Sequence, residues 1–195
     1  MLANKKNKNE LTGTNWSPGT KEDQTAYRSE LTGVDCILAV LAILVRHYKI
    51  KKGAITIAFD CATALKTCAK TDPLSINMKC FDILQDIRNR MDILPIEVSW
   101  RWVEGHQKEK GKTMDWWARR NFEVDLAAKA YLRKCKKDRR PFVPIQLKYE
   151  YWAVYCKQVK QSSIRSDKLY EKIFHTETTN YWNTHHCIQV PSQCN

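Results

Sequence analysis

The chain has 195 residues, 43% of them hydrophobic, enough for one domain of ordinary size with an appendage and a core that needs no disulfide staples. Its 33 Lys and Arg against 21 Asp and Glu give a formal charge of +12, densest between Lys108 and Arg140, which is compatible with a polyanionic partner, a nucleic acid or a membrane surface, and leaves the motifs to decide. The longest apolar run, residues 36–45, is far short of the roughly 20 residues that cross a bilayer; the eight cysteines fall at irregular spacings with no C-x-x-C pair and no secretory pattern near Met1, so reduced thiols and an intracellular location, nuclear or cytoplasmic, are expected rather than secretion.

Residues 1–22 are rich in Lys, Asn, Thr and Gly, and Ser17-Pro18-Gly19-Thr20 is a strong turn signal, so this irregular segment has room for at most one short strand. From Asp23, read as the capping residue, apolar side chains recur at three and four through Tyr27, Leu31, Val34, Leu38, Leu41 and Val45. That spacing predicts a long core-facing helix, ended by Lys51-Lys52-Gly53. Residues 54–60 read as a strand with Ile55, Ile57 and Phe59 on one face and Ala54, Thr56 and Ala58 on the other, expected to be buried on both. Residues 61–70 suit a short helix that Pro73 terminates, and 79–91 is amphipathic through Phe81, Ile83, Leu84, Ile87 and Met91.

After Pro95, Ile96, Val98, Trp100 and Trp102 alternate with Glu97, Ser99 and Arg101, the period of a half-covered strand. A basic polar loop at 105–112 leads to a further helix from after Met114 to about Lys136, with a buried stripe expected at Val124, Ala128, Leu132 and Cys135. Pro141 and Pro144 mark a linker, with a strand predicted in 149–156 and a helix in 166–174. Strands alternating with helices imply an α/β fold.

Four segments carry the acids and the one imidazole of interest: Tyr27-Arg28-Ser29-Glu30-Leu31, Ile57-Ala58-Phe59-Asp60, Trp102-Val103-Glu104-Gly105-His106 and Asn121-Phe122-Glu123-Val124-Asp125-Leu126-Ala127. Each acid has an ordinary structural reading: Glu30 as a partner of Arg28 or Lys21 or of the helix dipole, Asp60 as a helix cap, Asp125 as a solvated surface group. Their combination, an acid on a helix, an acid ending a strand, then Gly-His and Asn-x-x-x-Asp, resembles the type 1 ribonuclease H family over roughly residues 27–132.

The resemblance implies a ribonuclease H-like mixed sheet with flanking helices, occupying residues 23–138, preceded by the irregular segment 1–22 and followed by a small α+β C-terminal extension at 139–195. It implies hydrolysis of RNA in RNA:DNA hybrids with Mg²⁺ or Mn²⁺ held by Glu30, Asp60 and Asp125, and His106 handling a proton on the loop after the second strand. Lys108, Lys110, Lys112, Arg119 and Arg120 would offer cations to the phosphate backbone, and Trp116 a stacking surface. Hard oxygen donors suit those metals, and Asn180-Tyr181-Trp182 with His185-His186-Cys187 lacks a second ligand pair at a zinc-like spacing. The tail after Arg140 resembles those that follow such domains in retroelement-derived, reverse transcriptase-associated proteins.

The chain departs from the family in one respect: no strand carrying the family's first catalytic Asp precedes the helix near Asp23, and Asp23 and Asp35 are not placed to replace it. The expectation is an N-terminally truncated domain with an incomplete two-ion site and impaired catalysis, whose 54–60 strand leaves an apolar edge for a partner strand. Two other readings stand beside the enzyme: a non-catalytic nucleic-acid-binding module, and an interaction protein completed by a partner's strand.

Overall fold

The computed structural model describes residues 1–4, 6, 10–19, 23–75, 77–107, 111, 113–140, 147, 154–156 and 159–161. In chain order these form β1 (Leu2–Ala3), β2 (Glu10–Leu11), α1 (Ala26–His47), β3 (Ala54–Phe59), α2 (Ala62–Ala69), α3 (Phe81–Ile93), β4 (Glu97–Trp102), α4 (Trp116–Lys137), β5 (Val154–Cys156) and β6 (Val159–Gln161), a mixed α/β architecture. The helix expected at 166–174 and the segment at 180–187 lie outside the described residues. No described helix is long and apolar enough to cross a membrane.

Helix α1 begins later than Asp23. Thr25 is its cap, the side chain accepting a hydrogen bond from the Arg28 backbone N–H at 3.2 Å and so satisfying one of the helix's unpaired donors. Leu31, Val34, Leu38 and Leu41 are buried as their spacing predicts. They meet Ile83, Leu84 and Ile87 of α3 and Ile57 and Phe59 of β3 in one apolar cluster. Burying each such leucine or isoleucine stabilises the fold by roughly 1.5–3 kcal/mol relative to leaving it exposed.

Two ionic ties fix how α1 and α3 face each other. The fully buried Arg28 grips Asp82 with both terminal nitrogens, at 3.0 and 2.5 Å, while its Nε donates to the Pro18 carbonyl at 2.6 Å and holds the turn before the helix. One turn short of the other end of α3, Arg90 donates to Asp35 at 2.6 Å and to Asp86 at 3.1 Å. A planar guanidinium with five donors serves two carboxylates or a carboxylate and a carbonyl at once, which a lysine cannot do in the same geometry.

Strands β3 and β4 pair in parallel, in register from Ala54 opposite Glu97 to Phe59 opposite Trp102, with α2 and α3 forming the crossover between them. Ile57 and Phe59 on one face of β3 are buried, whereas on the other Ala54 and Thr56 are exposed and Ala58 is half-buried, which corrects the expectation of burial on both faces. On the open face the Thr56 and Ser99 hydroxyls lie 2.9 Å apart. Among the described residues the sheet has these two strands and the β3 edge opposite β4 bears none, so the expected single mixed sheet is not formed by them. β1 and β2 make a separate antiparallel pair where one short strand was expected, and β5 and β6 make another.

Helix α4 is capped by Asp115, whose carboxylate accepts from the Ala118 N–H at 2.8 Å. Of its expected buried stripe Cys135 is buried, whereas Val124, Ala128 and Leu132 are exposed, and Ala118 is the other buried position. The helix meets the body through the face that carries Ala118, Asn121, Phe122 and Asp125 and leaves much of the remainder to solvent. Cys36, Cys61, Cys68, Cys80 and Cys135 are free thiols, and burial pushes the Cys68 thiol up to about 12.

Candidate functional site

Parallel pairing in register brings the ends of β3 and β4 to the same edge of the sheet. Asp60 follows β3 directly, and Glu104, Gly105 and His106 follow β4, so the residues after both strands gather at the carboxyl edge, where open α/β sheets hold ligands. Val103 N–H donates to the Phe59 carbonyl at 3.1 Å and the Trp102 indole N–H to the Asp60 carbonyl at 3.0 Å, which continues the strand contact into the two loops. The loops run so close here that a Cβ at Gly105 would lie 2.6 Å from Asp60 Oδ2 and would displace that carboxylate.

Helix α4 completes the site. Asn121 Nδ2 donates to Asp60 Oδ2 at 3.1 Å, so the carboxylate has one oxygen oriented from the helix. Asp60 does not cap α2; that position belongs to Cys61, which makes no side-chain capping bond. Asp125 lies one turn beyond Asn121 on the same face, with Lys129 Nζ donating to its Oδ2 at 2.6 Å. Because α4 starts at Trp116, Asp125 sits nearly three turns into the helix, beyond the first turn where the dipole acts, and not near the amino end as expected.

Glu30, on α1, closes the remaining side. Arg28, one of its expected partners, is committed to Asp82, and the other, Lys21, lies outside the described residues. Glu30 also lies past the first turn of α1, so the dipole does not account for it. Together Glu30, Asp60, His106 and Asp125 line one cleft of about 180 Å³, with Glu104, Gln107, Met114 and Phe122 completing its walls. All three predicted acids and the predicted histidine therefore line the same cleft, although they come from four different parts of the chain.

The electrostatics follow from that meeting. Burial pushes the Glu30 carboxyl up to about 7, with repulsion from Asp60 and then Asp125 acting in the same direction. Perturbation of this kind, from desolvation and from like charges in a cleft, is characteristic of functional sites. Among the described residues no group of three or more His, Cys, Asp and Glu side chains stands close enough together to hold a metal ion. The donor chemistry of the cleft is of the kind that suits a hard divalent cation: four carboxylates, those of Glu30, Asp60, Glu104 and Asp125, no thiolate, and a repulsion of Glu30 by Asp60 and Asp125 that a cation relieves.

The basic and aromatic residues are disposed less simply. Arg119 is exposed. Arg120 is paired with Glu123 at 2.6 Å and Glu10 at 2.7 Å, so its guanidinium is largely committed to carboxylates. It also lies over the Trp116 ring, 5.8 Å from the centroid, and Trp116 meets Trp117 edge-on at 4.8 Å, so Trp116 is partly occupied by its neighbours. Lys108, Lys110 and Lys112 lie outside the described residues.

Sequence reasoning passed over Asn121, Gly105 and Glu104 as functional positions, though all three stand within the quoted segments. The four-residue spacing from Asn121 to Asp125 was the available signal for the first, since it places both on one helix face. No protein-family model matches the chain, and no curated protein and no solved structure matches it.

Proposed function

We propose that this chain is a ribonuclease H-like protein whose cleft engages RNA:DNA hybrids and hydrolyses their RNA strand with Mg²⁺ or Mn²⁺. The observation that carries this reading is the convergence of Glu30, Asp60 and Asp125 on one cleft, with Glu30 pushed up to about 7 there. Asp60, Glu30 and Asp125 would hold the cation, and when bound it supplies charge neutralisation and an activated water for attack on a phosphodiester. Asn121 orients Asp60, and His106 stands at the cleft wall where a proton is moved.

The formal charge of +12 supports a nucleic-acid partner, because phosphate neutralisation dominates such binding. Three of the family's four acids are matched, so hydrolysis is expected to be slow. The test is cleavage of a labelled RNA:DNA hybrid with Mg²⁺ or Mn²⁺ by the native chain and by Asp60→Asn, at two salt concentrations. Cleavage that Asp60→Asn abolishes supports the enzyme. A hybrid bound in a salt-dependent, Mg²⁺-independent way but never cut selects the non-catalytic binding module instead. A chain that neither binds nor cuts the hybrid overturns both.

A further inference from the structure

Beside the acidic cleft lies a second concavity, of about 250 Å³, lined by Arg101, Trp102, Val103, Gln107, Asp115 and Trp117 together with Glu104. Glu104 and Gln107 belong to both, so the two spaces are continuous along the loop after β4. The second is built differently from the first. Two indoles, one guanidinium and the carboxylates of Glu104 and Asp115 line it, and Glu30, Asp60 and Asp125 of the cleft are not part of it.

Its aromatic walls are held in place by neighbouring side chains, and ring surface is exposed on Trp102. Trp102 is 53% exposed, unusual for so large an apolar side chain, yet its orientation is fixed by the indole N–H bond to the Asp60 carbonyl. Trp117 meets Trp116 edge-on and has the Arg101 guanidinium 5.2 Å from its centroid. Arg101 in turn has only a long contact of 3.9 Å with Asp115, both side chains being about half exposed, a pair of little energetic weight. Alternation along β4 does not account for Trp102, because the inward set ends with the half-buried Trp100 and Trp102 emerges beyond the covered part of the sheet.

We infer that this pocket binds an unpaired nucleobase of a strand leaving the cleft, stacked against Trp102 and Trp117 with Gln107 at its polar edge. The inference rests on the hybrid-binding reading and extends it to the single-stranded portion of the substrate. Every base offers a π-face, and stacking on an aromatic side chain is tolerant of sequence. A glutamine amide matches the donor and acceptor of an adenine edge, so adenine is the base best suited to the pocket. Among the described lining residues Arg101 is accompanied by the carboxylates of Glu104 and Asp115, which suits the pocket itself to a neutral base better than to a phosphate. The overall positive charge of the chain draws in the strand, and the pocket receives its base.

The test compares three fluorescein-labelled 12-base-pair RNA:DNA hybrids by anisotropy in EDTA: blunt, with a four-adenosine overhang, and with an overhang of four abasic sites. The abasic probe carries the same added phosphates, so only the bases differ. Native protein is expected to bind the adenosine overhang roughly tenfold or more tightly than the abasic one, the size of a single base–aromatic stack. Trp102→Ala removes that margin and leaves blunt-hybrid binding unchanged; Trp102→Phe, which keeps a ring but loses the indole N–H, retains most of it. Equal affinity of the native chain for the two overhangs overturns the pocket without touching the hybrid reading. Binding of single-stranded (dA)12, lost in Trp102→Ala, by a chain that ignores blunt hybrid sustains the pocket and overturns the hybrid reading. A native dimer that Trp102→Ala dissociates makes the concavity a contact between copies and overturns the assignment.

Discussion

Glu30 provides the most demanding test of the cleft, because its carboxyl moves from an ordinary 4.5 to about 7 through burial and through Asp60 and Asp125. A shift of that size corresponds to about 3 kcal/mol at 1.36 kcal/mol per unit, an upper bound because solvent reaching the cleft screens part of it. The folded-state value is raised above the unfolded one, so the folded chain keeps a proton between pH 4.5 and 7 that the unfolded chain has released. Stability attributable to this group is therefore fully present below about 4.5 and is lost as the pH rises through about 7. Glu30→Gln removes the ionisation while keeping the shape. In EDTA the variant and the native chain should melt together near pH 4.5, and at pH 8 the variant should melt higher, by up to roughly 6–12 °C for a domain of this size. The assay is circular dichroism melting across that range. Adding 10 mM Mg²⁺ at pH 8 should narrow the gap by stabilising the native chain more than the variant. Melting differences that stay constant from pH 4.5 to 8 would refute the premise that Glu30 shares a cleft with Asp60 and Asp125.

Other outcomes follow from individual contacts. Gly105→Ala places a Cβ 2.6 Å from Asp60 Oδ2, so Asp60 must turn away from Asn121; hybrid cleavage should fall at least tenfold while melting drops by only a few degrees. Asp82→Ala leaves the buried Arg28 guanidinium uncompensated and should cost about 3–5 kcal/mol in urea unfolding, with much of the loss recovered when Arg28→Met is added. Cys68, its thiol at about 12, should resist a brief iodoacetamide pulse at pH 8 in the folded chain and be labelled in urea, as mass spectrometry would read.

The helical parts of the fold were legible where apolar spacing was strict. Leu31, Val34, Leu38 and Leu41 mark α1 and its buried face because a period of 3.6 leaves a helix one way to meet a core. The same reasoning failed on α4, where Val124 and Leu132 occupy helical spacing but face solvent, while Ala118 and Asn121, small or polar, make the contact with the site. Periodicity identifies a stripe; it does not say which neighbour will cover it. On β3, the small residues Ala54, Thr56 and Ala58 were compatible with a covered face, yet Ala54 and Thr56 are exposed, since cover depends on what packs there and not on side-chain size. Asp23 has the right chemistry for a cap, but Thr25 holds the right backbone position.

The sequence by itself determined the α/β alternation, the charge of +12, the principal core side chains and the identity of four chemically distinctive residues, Glu30, Asp60, His106 and Asp125. Each of these is a local property, set by composition or by spacing along one element. The tertiary structure alone decided that those four residues share a cleft, that Asn121 orients Asp60, that a side chain at Gly105 would displace the Asp60 carboxylate and that Glu30 is pushed up to about 7. Those properties depend on the parallel register of β3 with β4 and on the positions of α1 and α4 around their carboxyl edge, relations between segments up to 95 residues apart that no local pattern encodes.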